Sequence, residues 1–243
     1  MTNEDNSEET TEPVWREQAV SRRLVKTRER AKERVQRFLD AALLLIEDKS
    51  SSDFTIQEVV ERSGQSLRSF YQYFDGKNEL LFALFEESVR EAVADISAAV
   101  EIETEPLDRL RTFTFHLYDW CAPNDSEARR GEFNRLPITE FSWNLGMRNP
   151  ERVGNVMRPI SRTLVRLLDE AKEANVLNIP NTQHAATLLQ QTVMHSWLFA
   201  RVVDDTRSRV SREEVWAFCQ RLVSRPSEVQ AAAKLAVELC KDL

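Results

Sequence analysis

Glycine, cysteine and long apolar runs are all scarce in this 243-residue chain, and each scarcity excludes a class of protein. It has only 5 glycines and no alternating Val/Ile/Thr-rich runs bounded by turns, which argues against a β-sheet. No stretch of about 18 apolar residues occurs, so we expect no membrane span. The sequence therefore predicts an all-α fold.

Cysteine use and the N-terminus indicate the compartment. Cys121, Cys219 and Cys240 are odd in number and lack CxxC spacing, which suits reduced, buried structural thiols. The first residues, MTNEDNSEETTEP, are acidic and polar, unlike a signal peptide. We therefore expect a cytoplasmic protein without metal or cofactor.

Catalytic motifs are also missing. The three histidines have neither HExxH nor HxxxH spacing, and the chain contains no GxSxG, no phosphate loop and no GxGxxG. We expect the protein not to be an enzyme, and a helical enzyme with an unfamiliar motif stays as an alternative.

The net charge of −7 conceals a strongly basic segment. Residues 1–13 carry five acids and no base, whereas residues 14–37 carry nine Lys and Arg against three acids. Such a segment can bind phosphates by counterion release, while the acidic remainder repels non-specific DNA. The alternative is a solvated charged face. We expect residues 1–26 to form a disordered arm, acidic and then basic.

Residues 54–85 contain the signals for two short helices and a tight turn. Thr55 and Glu58 form a capping box that starts the first helix, and Ser63-Gly64 ends it. Ser66 can cap the second helix. The outward positions of that second helix are predicted to be Gln65, Arg68, Ser69 and Gln72. Their donors and acceptors suit base edges in a DNA major groove, so the segment predicts a helix-turn-helix.

This motif also carries a family resemblance. Residues 64–81, GQSLRSFYQYFDGKNELL, resemble the DNA-binding signature of the TetR family of bacterial repressors, and the likeness covers about the first 90 residues. Three positions depart from the pattern: Gln65 replaces the usual valine, Arg68 a small residue and Tyr73 the frequent histidine. The resemblance implies a DNA-binding head over residues 27–80 and a helical ligand-binding and dimerisation body over residues 81–243.

The resemblance implies a role for each head contact. A threonine hydroxyl and backbone N–H at a helix start would bind phosphate, and Arg68 could bond guanine O6 and N7 together. Gln65 or Gln72 could pair with adenine. The tyrosines and the lysine would reach phosphates, although packing with a wet hydroxyl is the alternative for the tyrosines. The implied DNA contacts are Arg28, Thr55, Gln65, Ser66, Arg68, Ser69, Tyr71, Gln72, Tyr73 and Lys77.

Helical periodicity covers most of the remaining chain. The first helix is predicted over residues 27–47 and a fourth over residues 77–100. The fourth helix is long enough to join the head to the body, so we expect it to transmit motion of the body to the head. Further helices are predicted over residues 105–121, 127–145, 150–175, 182–204, 211–224 and 228–241.

Two sets of body residues are candidates for function. Apolar stripes with a few polar groups could line a small-molecule pocket, or could simply be core. The pocket candidates are Phe113, His116, Trp120, Phe141, Trp143, Met147, Met157, Met194 and Trp197. The resemblance implies a dimer interface on the helices at residues 183–204 and 211–224. Its candidates are Leu188, Leu189, Val193, Trp197, Val215, Trp216, Phe218 and Leu222.

Together these expectations describe a dimeric transcriptional regulator, most simply a repressor, that binds a palindromic double-stranded DNA operator. A small, largely apolar effector of unknown identity would release it. Two alternatives remain open: a DNA-binding regulator without a small-molecule effector, and a helical protein-interaction module.

Overall fold

Helices make up nearly all of the chain that the structure describes. This computed structural model describes residues 14–49, 51–121, 145–202 and 210–223, without the side chains of residues 14, 16–20, 197–202 and 222–223. The helices are α1 Val14–Lys49, α2 Ile56–Ser63, α3 Leu67–Phe70, α4 Lys77–Ile102, α5 Pro106–Cys121, α6 Pro150–Glu173, α7 Thr182–Val202 and α8 Arg212–Val223. These residues contain no β-strand, so the predicted all-α fold is confirmed.

Two units are separately packed, one ending at Lys77 and the other beginning at Asn78. We call them the head and the body. None of the described helices combines the length and apolar character needed to cross a bilayer.

Short-range hydrogen bonds fix α2 in the head. The Thr55 Oγ1 accepts the Glu58 N–H at 3.2 Å, and a Glu58 carboxylate oxygen accepts the Thr55 N–H at 2.8 Å, which is the predicted capping box. Lys49 Nζ donates to the same carboxylate at 2.8 Å. This bond, followed by those from Thr55, lowers the pKa of Glu58 to about 2. Gly64 ends the helix with φ 64°, the left-handed conformation predicted for it.

An aromatic cluster forms the centre of the head. Phe38 of α1 meets the ring of Phe70 edge-on at 5.4 Å and that of Phe74 at 6.1 Å. Phe38 and Phe70 are completely buried. Edge-to-face pairs of this kind add to the burial of the rings themselves. Since Phe70 lies on α3, the cluster fixes which face of α3 turns inward.

The predicted start of α1 is wrong. We expected disorder through residue 26 and a helix from about Thr27, but the helix begins at Val14. Between Val14 and Lys49 there is no glycine or proline, and Arg, Lys, Glu, Gln, Ala and Leu are good helix formers. Once α1 is nucleated against the head core, adding turns toward its N-terminus is favourable. Residues 1–13 lie outside the described residues.

In the body, α5 is the central helix. It packs against α6, α7 and α8, and buries Phe113 and Leu117 completely. At its C-terminal end, Trp120 Nε1 donates to the Ser88 Oγ of α4 at 3.0 Å in the interior. The buried face of α6 includes Leu164, so a single core joins these helices.

The bounds of the body helices agree closely with the periodicity of the sequence. Observed helices start at Pro106, Pro150, Thr182 and Arg212, at or within one residue of the predicted starts. The helices predicted over residues 127–145 and 228–241 fall almost entirely outside the described residues, except that residue 145 begins a helical turn.

Buried thiols agree with the expectation for two of the three cysteines. Cys121 and Cys219 are both buried, and burial raises the pKa of the Cys219 thiol to about 11. A thiol with so high a pKa is a poor nucleophile at neutral pH. Cys240 lies outside the described residues.

Candidate functional site

Several side chains expected to read DNA are exposed on α3, at its N-cap and on the turn that follows it. Ser66 caps the helix, its Oγ accepting the Ser69 N–H at 3.1 Å. Arg68, Tyr71 and Gln72 are exposed, and Tyr71 keeps 55% of its surface accessible. Phe70, between them in sequence, is buried, so the helix has one inward and one outward face.

The prediction that Ser69 faces outward is wrong. Its side chain is buried, and its Oγ has no hydrogen-bond partner within the described structure. Successive residues of a helix are about 100° apart, so Ser69 turns inward beside Phe70 while Arg68 stays outside. The hydroxyl cannot reach a base edge from that position, and a small side chain at residue 69 is required for packing.

Thr55 is exposed, but its two donors are already used. Both the Thr55 N–H and its hydroxyl donate to Glu58 Oε2, at 2.8 and 3.0 Å. A phosphate contact by Thr55 stays a prediction, and it would require these two bonds to Glu58 to be exchanged for bonds to the phosphate. The capping box that starts α2 consumes the donors that the phosphate would need.

Three other predicted contacts are only partly accessible. Lys77 is half-buried, with its ammonium 4.6 Å from the centre of the Phe54 ring, and burial lowers its pKa. Tyr73 and Gln65 are also half-buried, and the backbone N–H of Gln65 donates to Val60 O at 3.3 Å to complete the helix end. These side chains lie at the edge of the exposed face.

The basic segment of α1 is a solvated row of cations. Arg28 is exposed, and so is every other Lys and Arg between residues 21 and 37. None of these cations forms an ion pair within the part of the chain that the structure describes. They are free to exchange water and counterions for phosphate oxygens.

One exposed residue of α3 was missed by sequence reasoning. Leu67, at the first position of the helix, keeps 44% of its surface accessible. Its position between Ser66 and Arg68, outside the apolar pattern, was the available signal.

Few of the predicted interface residues in the body are exposed. Leu189, Val193, Val215 and Trp216 are buried in the core of the single chain and cannot supply free surface to a second copy. Leu188 on α7 keeps 65% of its surface and Phe218 on α8 keeps 52%. A groove of about 230 Å³ between these helices includes Leu188, Thr192 and Cys219 in its lining. The side chains of Trp197 and Leu222 lie outside the description.

The predicted pocket residues differ in their burial among the described residues. Phe113, Trp120 and Met157 are buried, whereas His116 and Met147 are exposed. The half-buried Met194 lines a groove of about 200 Å³ between α6 and α7 that also contains Ser161 and Gln190. Phe141 and Trp143 lie outside the described residues. An effector pocket formed by this set stays a prediction.

Comparison with known proteins identifies the same segment. Residues 38–84 match the model of a family described as bacterial regulatory proteins, tetR family. The HTH-type transcriptional regulator BetI of Brucella canis is 30% identical over 77 residues, covering 32% of this chain. The chain spans about 39% of the length of that curated relative.

Solved structures share the fold over a longer stretch. A tetR-family regulatory protein from Rhodococcus RHA1 matches with a TM-score of 0.58 at 18% identity, over 80% of this chain and 98% of the other. The transcriptional regulator FadR from Bacillus subtilis, solved in complex with stearoyl-CoA, matches with a TM-score of 0.62 at 12% identity, over 76% and 96%. At these identities the likeness shows the fold alone.

The unpartnered Ser69 hydroxyl makes a prediction about stability. Ser69→Ala removes a buried polar group without a partner, so we expect the free energy of unfolding to rise by up to about 1 kcal/mol. Ser66→Ala is the contrasting variant, because it removes a cap and should lower the free energy by about 1 kcal/mol. Denaturant unfolding measures both. Equal destabilisation by the two variants would show that Ser69 has a polar role.

Proposed function

The resemblance to the tetR family of bacterial regulatory proteins is confirmed for the head, and from this premise we propose that the protein is a dimeric transcriptional repressor. It binds double-stranded DNA through α3 and responds to a small-molecule effector in the body. The observation that carries the proposal is the two-sided segment formed by α3 and the turn after it, with Phe70 in the core and Arg68, Tyr71 and Gln72 outside.

The exposed side chains of α3 and of the turn after it have the chemistry needed to read a major groove. The Arg68 guanidinium forms no bond with another described residue, so its donors are available to guanine O6 and N7. Gln72, one turn further, can donate to and accept from adenine. The partly apolar Tyr71 can pack against the sugar-phosphate edge with its hydroxyl directed to a phosphate oxygen.

Affinity, in contrast to sequence preference, would come from α1. Its exposed Lys and Arg between residues 21 and 37, including Arg28, are the largest accessible positive charge of the described head. Phosphate contacts of this kind hold the protein on DNA without reading bases, and they weaken as salt rises. The acidic remainder of the chain limits binding to unrelated polyanions.

In a dimer, a second copy of the chain would supply a second α3 and so double the number of base pairs contacted. One α3 contacts only a few base pairs, whereas two copies related by a two-fold axis read a palindrome with half-sites about one DNA turn apart. Leu188 and Phe218 support a dimer because they expose apolar surface on adjacent helices, beside an apolar groove. Such surface is usually covered by a partner.

The proposed effector is a small molecule that is at least partly apolar. A solved structure with the same fold, FadR from Bacillus subtilis, contains stearoyl-CoA, which supports a ligand that is at least partly apolar. We propose that this ligand favours a conformation of the dimer with a different spacing of the two α3 helices, and so releases the operator. The proposal places this regulator, which is not an enzyme, in the cytoplasm.

The DNA prediction is tested by gel shift with duplexes from the DNA flanking the protein's own gene, with a scrambled duplex of the same composition. We expect a specific shift. Arg68→Ala should weaken specific binding by about 1–3 kcal/mol and relax the preference at one base position per half-site. Arg90→Ala, which removes an exposed arginine of α4, is the matched control and should bind as the wild type does.

No shift on any flanking duplex, or equal shifts with the scrambled duplex, would contradict the proposal. Uniform loss across all sequences with Arg68→Ala would make Arg68 a phosphate contact. If the shift occurs and no member of a ligand screen releases the DNA, the regulator lacks a small-molecule effector.

The dimer is tested by placing a charge on the exposed apolar residues. Leu188→Asp and Phe218→Asp should each shift the mass in solution from dimer toward monomer, because a carboxylate buried at an interface loses its hydration. Met147→Asp is the matched control, since Met147 is also exposed but lies outside α7 and α8. Sedimentation measures the mass. A dimer that survives both variants unchanged would exclude these helices as the interface.

A further inference from the structure

We propose that Leu67 reads thymine in the operator through contact with its C5-methyl group. The inference rests on the proposed DNA-binding function and adds an apolar reader to the polar ones. The observation behind it is the 44% exposure of a leucine at the first position of α3. Burial of a large apolar side chain is favourable, and the exposed part of Leu67 does not obtain this stabilisation in the free protein.

The exposed part of this leucine is not needed to close the core of the head or to start α3. Its core is already closed by Phe38 and Phe70, which have no accessible surface. The start of α3 is held by Ser66, whose side chain accepts the Ser69 N–H, and needs no leucine. The 44% of the Leu67 surface that stays accessible has no packing partner in the described head, and it is available for a partner molecule.

The neighbours of Leu67 indicate what that partner is. Arg68 is the next residue and is exposed, and Tyr71 is exposed one turn away at the i+4 position. Gln72 adds a further exposed amide. Burying these polar groups against an apolar protein surface would leave donors and acceptors unpaired. A DNA major groove supplies partners for them, together with an apolar group for the leucine.

Thymine is the base that fits an apolar reader. In the major groove, guanine, adenine and cytosine present acceptors and donors at their edges, whereas thymine also presents a methyl group. Leu67 and Arg68 are adjacent, so they would contact neighbouring base pairs. The structure thus predicts a thymine close to the guanine that Arg68 reads in each half-site.

The test removes the methyl group from the DNA and the leucine from the protein. Duplexes that bind the full-length wild-type chain are first selected from a random library. Each thymine is then replaced singly by deoxyuridine, which lacks only the C5-methyl. We expect the wild type to lose about three- to fivefold in affinity at one thymine per half-site, as for one buried methyl group.

Leu67→Ala should lose a similar factor on the thymine duplex and be indifferent to deoxyuridine at that position. Alanine is a good helix former and the site is exposed, so this variant should fold, which a melting curve checks. Leu44→Ala is the matched control, because Leu44 on α1 is also a leucine with 44% exposure. It should keep the full loss on deoxyuridine.

Three outcomes would overturn the inference. A wild type that loses no affinity on any deoxyuridine duplex has no methyl contact. A Leu67→Ala protein that keeps the wild-type loss has its methyl contact elsewhere. In both cases the selected duplexes still support the proposed function. If the library yields no specific duplex, the proposed function and this inference fail together.

Discussion

The left-handed turn at Gly64 is the constraint on which the candidate site depends. With φ 64° and ψ 23°, Gly64 ends α2 and redirects the chain within three residues into α3. The Gln65 N–H donates back to Val60 O at 3.3 Å and satisfies a carbonyl at the helix end. This geometry places Phe70 in the aromatic core and leaves Leu67 and Arg68 outside.

Helix caps and stops were predicted correctly from the sequence, because the hydrogen bonds that form each of them join residues only a few positions apart. The capping box at Thr55, the stop at Gly64 and the cap at Ser66 were all identified from residue type and spacing, and each is formed. The starts of α5 and α6 follow from the proline at the first position of each helix. The α1 start was missed because the charged, polar composition of residues 14–26 was interpreted as disorder, although most of these residues are good helix formers.

Helical periodicity could not predict which side chains are buried and which are exposed, because this depends on how the helices pack against each other. Ser69 matched the polar pattern of the outward face, yet the position of Phe70 in the core turns it inward. In the body, an apolar residue that faces its own core and one that faces a second copy have the same helical spacing. Leu189 and Leu188 are neighbours in sequence, and only the packing of α7 separates the buried from the exposed side chain.

If the Gly64 turn orients α3 for DNA, one pair of glycine variants tests this role most directly. Gly64→Ala forces a residue with a Cβ into the left-handed region, although no neighbouring atom is in the way. We expect it to lower the free energy of unfolding by about 1–2 kcal/mol and to weaken binding to the selected duplex. Gly76→Ala, where φ is ordinary for an L-residue and the surrounding space is open, should change neither. Equal effects of the two variants on stability and on DNA affinity would contradict this role.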